Sequence, residues 1–216
     1  MRLFEEIFRP TSATTILDVG GEEYNWTLIS AQPKITLINT YYGRGSRGSF
    51  FHKIVGDGRM LPFRDKAFDI VYSNSVIEHV GSFEDQTAFA NEVRRVGKAH
   101  FIQTPDRHFP VEPHLLAPFI HYLPADLQKK LVRHFTLWGL ITKPNKRRVE
   151  QMLESIRLLS VAQMKRLFDD ATIVKERVCG LSKSLIAIGG RRSIQENCKA
   201  HKHRRKIRRP STRRGG

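Results

Sequence analysis

The sequence predicts an α/β fold: a mostly parallel sheet of about seven strands, with helices on both faces and a helical insertion after the fifth strand. Three observations predict it. Five short apolar runs, two of them closed by glycine, fall in the first half of the 216 residues, the pattern of buried parallel strands. A stripe of apolar residues at helical spacing separates the fourth run from the fifth, the kind of connection that parallel neighbours require. Two extended runs further on read as a closing antiparallel hairpin.

Taken in order, Met1 to Pro10 sets Leu3, Phe4, Ile7 and Phe8 against Arg2, Glu5, Glu6 and Arg9. That spacing predicts a short helix docked on the domain, and it lacks the unbroken apolar centre of a signal peptide. The strands are expected at Thr15 to Val19, Ile35 to Asn39, Phe51 to Val55, Phe68 to Ser73 and His100 to Thr104. Phe83, Ala88, Phe89, Val93 and Val96 mark the crossover helix over Phe83 to Val96. Thr40 to Ser49 is punctuated by Gly43, Gly45 and Gly48, which predicts a loop. Residues 105 to 160 read as a cap over the carboxyl ends of the strands: prolines chop the first part, and Asp126 to Trp138 and Lys146 to Leu159 are helical in pattern. Ser160 is placed to cap a helix over Val161 to Asp169, and Thr172 to Val178 with Ser184 to Ile188 form the closing hairpin.

Composition bounds the rest. With 40% hydrophobic and 27% charged residues, the chain can bury one core, and we read residues 1 to 190 as one domain. No apolar run approaches the ~20 residues that span a bilayer. Two cysteines, Cys179 and Cys198, are too few for a disulfide scaffold and point to a reducing cytoplasm. From Arg191 to Gly216 there are eleven Lys and Arg against Glu196 alone, so this tail carries +10 of the formal +16. It reads as disordered, either as a solubilising extension or as a contact for nucleic acid or anionic lipid.

In an open α/β sheet, ligands bind beyond the carboxyl ends of the strands, so the residues following each run carry the chemistry. Asp18-Val19-Gly20-Gly21 follows the first run: the glycines permit a tight turn beside a ligand, and Asp18 either orders that turn or serves the ligand. Gly56-Asp57-Gly58-Arg59-Met60-Leu61-Pro62-Phe63 follows the third. Asp57 there can accept from an exocyclic adenine amine, with Met60 and Leu61 against the ring, or it can cap a helix. The fourth ends in Ser73-Asn74-Ser75-Val76-Ile77-Glu78-His79-Val80.

Together these blocks, with Ile16-Leu17 and Phe68-Asp69, resemble the Rossmann-like class I S-adenosylmethionine-dependent methyltransferases, in particular the ubiquinone/menaquinone-methyltransferase-like group, over roughly residues 14 to 105. Thr104-Pro105-Asp106-Arg107-His108-Phe109-Pro110-Val111-Glu112-Pro113-His114 and Leu181-Ser182-Lys183-Ser184-Leu185-Ile186-Ala187 resemble a small bacterial branch associated with polysaccharide biosynthesis. The resemblance implies S-adenosyl-L-methionine as cofactor, cradled by Asp18, Gly20 and Gly21. It implies ribose contacts near Asn39, adenine contacts from Asp57, Gly58 and Arg59, and closure by Ser73 and Asn74. Glu22 and Tyr24 stand where the usual turn has further glycines, and Asn39 replaces the usual acidic ribose ligand.

Methyl transfer from a sulfonium to a hydroxyl needs an aligned acceptor, excluded water and a base. His114 and Glu112 rank first as that base, followed by His79 and His108; a histidine titrating near ~6.5 suits proton removal at neutral pH. Glu78-His79 equally suits a structural role at the start of the next segment. The spacing of His108, Glu112, His114 and His121 matches no closed zinc pattern, and no metal is expected. Leu115, Leu116, Phe119, Ile120, Tyr122 and Leu123 read either as the core of the cap or, with basic residues nearby, as a lipid-facing surface. The functional expectation is a methyltransferase acting on a saccharide, lipid-linked saccharide or other small molecule, cytoplasmic or peripheral at the inner membrane face, with no stable protein partner implied. An RNA methyltransferase using the basic tail and a non-catalytic scaffold are the alternatives.

Overall fold

The computed structural model describes residues 1–42, 51–112, 115, 117–190, 194, 196–198, 200 and 201, with Glu112 described in its backbone only. A seven-stranded sheet organises them. Its strands are β1 (Thr15–Val19), β2 (Lys34–Asn39), β3 (His52–Val55), β4 (Ile70–Asn74), β5 (His100–Pro105), β8 (Thr172–Val178) and β9 (Leu181–Gly189). The order is β3-β2-β1-β4-β5-β9-β8. The first five strands pair in parallel, and β9 runs antiparallel to both β5 and β8. Sequence-read strands agree with these to within a few residues. Of the loop expected over Thr40 to Ser49, only residues 40–42 are described, and they carry no regular structure.

The sheet is covered on both faces. Alternate residues along each strand divide between two cores, as the pleat requires. Leu17 and Val19 pack with Val71, Ile102 and Leu185 against helices α2 (Phe83–Val96) and α6 (Val161–Leu167), which contribute Phe89, Val93, Met164 and Leu167. Ile16, Leu37, Tyr72 and Phe101 face the other way, onto Phe4 and Ile7 of helix α1 (Arg2–Phe8). Both covering helices on the first face begin in reciprocal capping boxes. Ser82 and Asp85 exchange bonds at α2, and Ser160 and Gln163 do so at α6, satisfying amides that a helix start leaves open. Asp69 fastens the amino ends of β1 and β4: Oδ2 accepts from the Thr15 amide and hydroxyl, and Oδ1 accepts from Lys98 Nζ at 2.8 Å. Those bonds, led by the one from Lys98, hold its carboxyl down at about 2.

Residues 105–160 form the expected helical insertion after β5, with more structure than the pattern indicates. A two-stranded pair, β6 (Val111–Glu112) and β7 (Ala117–Pro118), precedes helices α3 (Ala125–Phe135), α4 (Leu137–Thr142) and α5 (Lys146–Glu154). Asp126 to Trp138, read as one helix, breaks at Thr136. This residue adopts an extended backbone and caps α4 by accepting from the Gly139 amide at 2.9 Å. Leu115, Ala117, Ile120, Val132 and Val149 make a separate small core. For Leu115 and Ile120 the core reading therefore holds over the lipid-facing one; Leu116 lies outside the described residues.

The tail reading needs correction in its first part. Residues 194, 196–198, 200 and 201 are helical, Cys198 is fully buried, and Ile194 packs on the α1 face. Asn197 Nδ2 donates to the Ile7 carbonyl at 3.0 Å, and His201 lies 3.0 Å from Glu6. Two apolar residues four apart suffice to dock one helical turn, a signal that the surrounding charges obscure. Residues 202–216 lie outside the described residues.

Phe4 anchors the α1 face. It is fully buried, with ring centroids of Phe8, Trp26, Tyr72 and Phe101 between 5.0 and 5.8 Å away. Phe4→Ala should cost about 3–5 kcal/mol, from lost transfer energy and the cavity left behind. Urea unfolding monitored by tryptophan fluorescence reads this directly; a loss below 1 kcal/mol would show that α1 is dispensable.

Candidate functional site

At the carboxyl end of β1 the ladder continues one residue past the strand, Gly20 N donating to the Ile38 carbonyl at 2.8 Å. Gly20 then turns at φ +77°. Val76, in the loop after β4, lies where a side chain at Gly20 would go. At Gly21 an added Cβ would fall 1.9 Å from Asp18 Oδ2, so only glycine lets the chain pass over that carboxylate. Asn39, at the end of β2, donates through Nδ2 to the Gly21 carbonyl at 2.9 Å and fixes the turn from the other side.

Beside this turn lies a cleft of about 450 Å³, lined by Gly20, Gly21, Glu22, Glu23, Tyr24, Leu37, Asn39, Tyr41, Tyr42 and Lys53. That size is ordinary for a cofactor-sized ligand. Lys53 pairs with Glu23 across it. Of the sequence-predicted ligands, Gly20, Gly21 and Asn39 line the cleft, and Asp18 lies directly beneath Gly21.

Asp18 is fully buried. Trp26, in the 3-10 turn Glu23–Leu28, donates from Nε1 to its Oδ2 at 2.8 Å, while Oδ1 is buried and accepts no bond. Burial pushes its carboxyl up to about 7; the Trp26 bond acts in the opposite direction.

The remaining predicted ligands lie outside the lining of this cleft. Asp57 is gripped by Arg59: Nη2 donates to Oδ2 at 2.6 Å, Nε donates to both oxygens, and the Arg59 amide donates to Oδ1. Arg59 also reaches Asp85 at 2.8 Å. These bonds, led by the guanidinium's, hold the Asp57 carboxyl below its ordinary range. Gly58 passes against the Phe89 ring and Val19 with no room for a Cβ. Ser73 is fully buried and donates to the Val19 carbonyl at 2.8 Å, tying β4 to β1. Asn74 ends β4, with its Oδ1 3.4 Å from the Ser75 hydroxyl. Tyr24, Tyr41, Tyr42 and Lys53 were not among the sequence candidates; the position of the three tyrosines just past β1 and β2 is the signal that could have found them.

Of the candidate bases, His114 lies outside the described residues, and Glu112 is placed only by its backbone in β6. His79 sits in the turn Ile77–His79 with Nδ1 3.2 Å from the Ser155 carbonyl. His108 follows β5 with Nδ1 3.2 Å from Oδ1 of the buried Asp106, whose same oxygen accepts the His108 amide at 3.0 Å. Donation from Nδ1 leaves the lone pair on Nε2 in either ring. A second cleft, of about 470 Å³, opens beside this segment and is lined by Arg107, His121, Gln128, Lys129 and Arg157, among others. Arg157 N donates to the Glu78 carbonyl at 2.7 Å, which places this cleft by the loops after β4 and β5. Among the described residues, no three His, Cys, Asp or Glu side chains cluster as metal ligands would.

Residues 31–100 match the family profile described as a methyltransferase domain. Solved structures similar to the chain include a SAM-dependent methyltransferase from Methanosarcina mazei (14% identity, 87% of this chain and 96% of that one, TM-score 0.51). Another is the geranyl diphosphate C-methyltransferase from Streptomyces coelicolor (12%, 88% and 78%, TM-score 0.53), solved with Mg2+, geranyl diphosphate and S-adenosyl-L-homocysteine. A third is a provisionally named zinc-dependent alcohol dehydrogenase from Rhodobacter sphaeroides (10%, 86% and 87%, TM-score 0.56). The fold is that of class I methyltransferases. A doubly wound dinucleotide-binding sheet runs 3-2-1-4-5-6, whereas in this methyltransferase fold the sixth place is taken by the antiparallel β9, with β8 outside it. No protein of curated function matches the chain in sequence.

The buried Asp18 gives the methyltransferase fold a titration of its own. Because the folded carboxyl titrates near 7 and an unfolded one near ~3.9, the fold binds the proton more tightly. The stability this confers is complete below about pH 4 and is lost as the pH rises toward 7. Asp18→Asn does not titrate. Its unfolding free energy should therefore gain on wild type between pH 4 and 7, by on the order of 4 kcal/mol, and run parallel above. Urea unfolding across that range measures it, and a difference independent of pH would contradict the assignment.

Proposed function

We propose that the chain is an S-adenosyl-L-methionine-dependent methyltransferase that methylates a hydroxyl of a saccharide, a lipid-linked saccharide or another small molecule. Support for the cofactor comes from the methyltransferase-domain match and from the glycine-walled cleft at the ends of β1 and β2, where Gly20, Gly21 and Asn39 would hold it. Bound there, the cofactor supplies an already activated methyl group. The chain's own residues have the lesser tasks of binding, aligning and deprotonating the acceptor.

One observation carries the acceptor reading. The two blocks that resemble the polysaccharide-associated branch, 104–114 and 181–187, are far apart in sequence and touch in the fold. Pro105 pairs with Ser184, and Asp106 N donates to the Lys183 carbonyl at 3.0 Å. Of the first block, Arg107 lines the second cleft, where Arg, Lys, His and Gln side chains stand among Leu115, Leu153, Ile156 and Leu158 and suit an acceptor with hydroxyl or anionic groups. Next to Arg107 in the chain, His108 is the proton acceptor in this reading, with Asp106 positioning its ring in the manner of a carboxylate–histidine pair.

Calorimetric titration with S-adenosyl-L-methionine tests the cofactor. Binding is expected, and Asn39→Ala should weaken it about tenfold, the worth of one hydrogen bond. No heat at millimolar cofactor would leave a scaffold. Transfer of a radiolabelled methyl group into a saccharide or lipid-linked saccharide fraction, recovered as methyl sugar after acid hydrolysis, tests the acceptor; label appearing in digested RNA instead would overturn it. Within that assay His108→Ala should lower kcat by on the order of 100-fold or more with cofactor affinity unchanged, and Asp106→Asn, which removes the ring's positioning partner, should lower kcat with KM little changed. An undiminished rate for His108→Ala would return the role to His114, Glu112 or His79.

A further inference from the structure

The cap ends in an apolar tip that is exposed among the described residues. Helices α3 and α4 meet at the buried Thr136, and Gly139 is packed so closely on the Val132 carbonyl that the pair forms one rigid corner. From this corner Phe135 is 71% exposed, Leu137 47%, Leu140 57% and Ile141 70%. Leu137, Leu140 and Ile141 lie three and four residues apart, so they share one helical face, and Phe135 flanks it. Single exposed apolar residues are ordinary; a contiguous set on a rigid projection marks an interaction surface.

Charge around the tip identifies what it meets. Between Lys129 and Arg148 there are seven Lys and Arg and no Asp or Glu. Lys130, Arg133 and Lys143 are exposed close to the apolar residues along the chain. A second copy of the chain would set like charge against like, and a nucleic acid would have no use for the apolar face. An anionic bilayer satisfies both halves at once: its headgroups take the cations, and the acyl boundary takes Phe135, Leu140 and Ile141. Among the described residues, no helix is long and apolar enough to cross a membrane, so contact through this corner is peripheral.

We infer that the α3–α4 corner docks the protein on an anionic lipid surface. The full chain is mixed with vesicles of phosphatidylcholine with or without phosphatidylglycerol, and with the same lipids brominated on their acyl chains. The two tryptophans make the readout specific: Trp138 lies in α4, whereas Trp26 is 5% exposed beneath α1. Binding should require phosphatidylglycerol, the brominated chains should quench Trp138, and Leu140→Asp with Ile141→Asp should weaken binding about tenfold or more and abolish quenching. Vesicle binding without quenching, or unaltered by the double substitution, would assign the contact to another basic segment and overturn the inference. So would a dimer in sedimentation that the double substitution dissociates, in the absence of any vesicle binding.

Discussion

A carboxylate buried without full hydrogen bonding is expensive, and this fold spends that cost at the turn where its cleft begins. Asp18 is enclosed by Trp26, Tyr72 and the backbone of Gly21. Each neighbour is held by something else. Trp26 is braced by Phe4 and Tyr72, and Gly21 is held by Asn39. Removing the docked α1 would therefore loosen the support of a turn that α1 never touches through Asp18 itself. The replacement of the usual turn glycines by Glu22 and Tyr24 makes sense in this setting. A short 3-10 turn, rather than a tight glycine loop, carries the chain away from β1 and brings Trp26 back over the carboxylate.

A second buried polar cluster performs the corresponding task for the cap. Thr104 donates to Glu78 Oε2 at 2.9 Å, and Gln86 Nε2 donates to the carbonyls of Ile77 and Arg157. Arg157 N in turn donates to the Glu78 carbonyl. Residues from three elements of the sheet domain thus meet in one buried hydrogen-bonded cluster, and two of them, Glu78 and Gln86, reach the segment that leads out of α5 at Arg157, bonds that orient better than apolar contact does. The cap keeps its own small core, so its helices are held together internally and to the sheet through this hinge-side cluster. Glu78-His79 consequently divides its roles: Glu78 belongs to the framework, and His79 is left exposed beside Ser155.

What the sequence revealed follows from the range of the forces involved. Thr15–Val19 and Phe83–Val96 are legible to the residue because period and punctuation are local properties. So is Ser160, since a capping box spans only four residues. Gly20, Gly21 and Asn39, which the resemblance singled out, do line the cleft, as residues just past strand ends tend to in such a sheet. By contrast, the bonds that decide what Ser73, Asp57 and Asp106 do join residues across turns and strands, and no periodicity reports them. The pair β6 and β7 is too short to show alternation, and the break at Thr136 interrupts an apolar stripe that continues through it. Cys198 was hidden by its neighbours' charge, an average that says nothing about one buried face.

Site residues that already have partners differ in how readily they change them. Ser73 bonds the Val19 carbonyl from a fully buried position, and redirecting its hydroxyl to a ligand would orphan that carbonyl inside the protein. It serves the site by holding two strand ends in register. Asp57 is different. Its grip on Arg59 and the link from Arg59 to Asp85 are among partly exposed groups, with side chains 36 to 42% accessible. Ion pairs in that setting contribute little, because water and salt compete for both partners. An adenine amine arriving at Asp57 would displace a weak contact, and Arg59 would keep Asp85 when it moved. The guanidinium clamp thus keeps the Asp57 carboxylate charged and oriented while remaining displaceable by a competing partner.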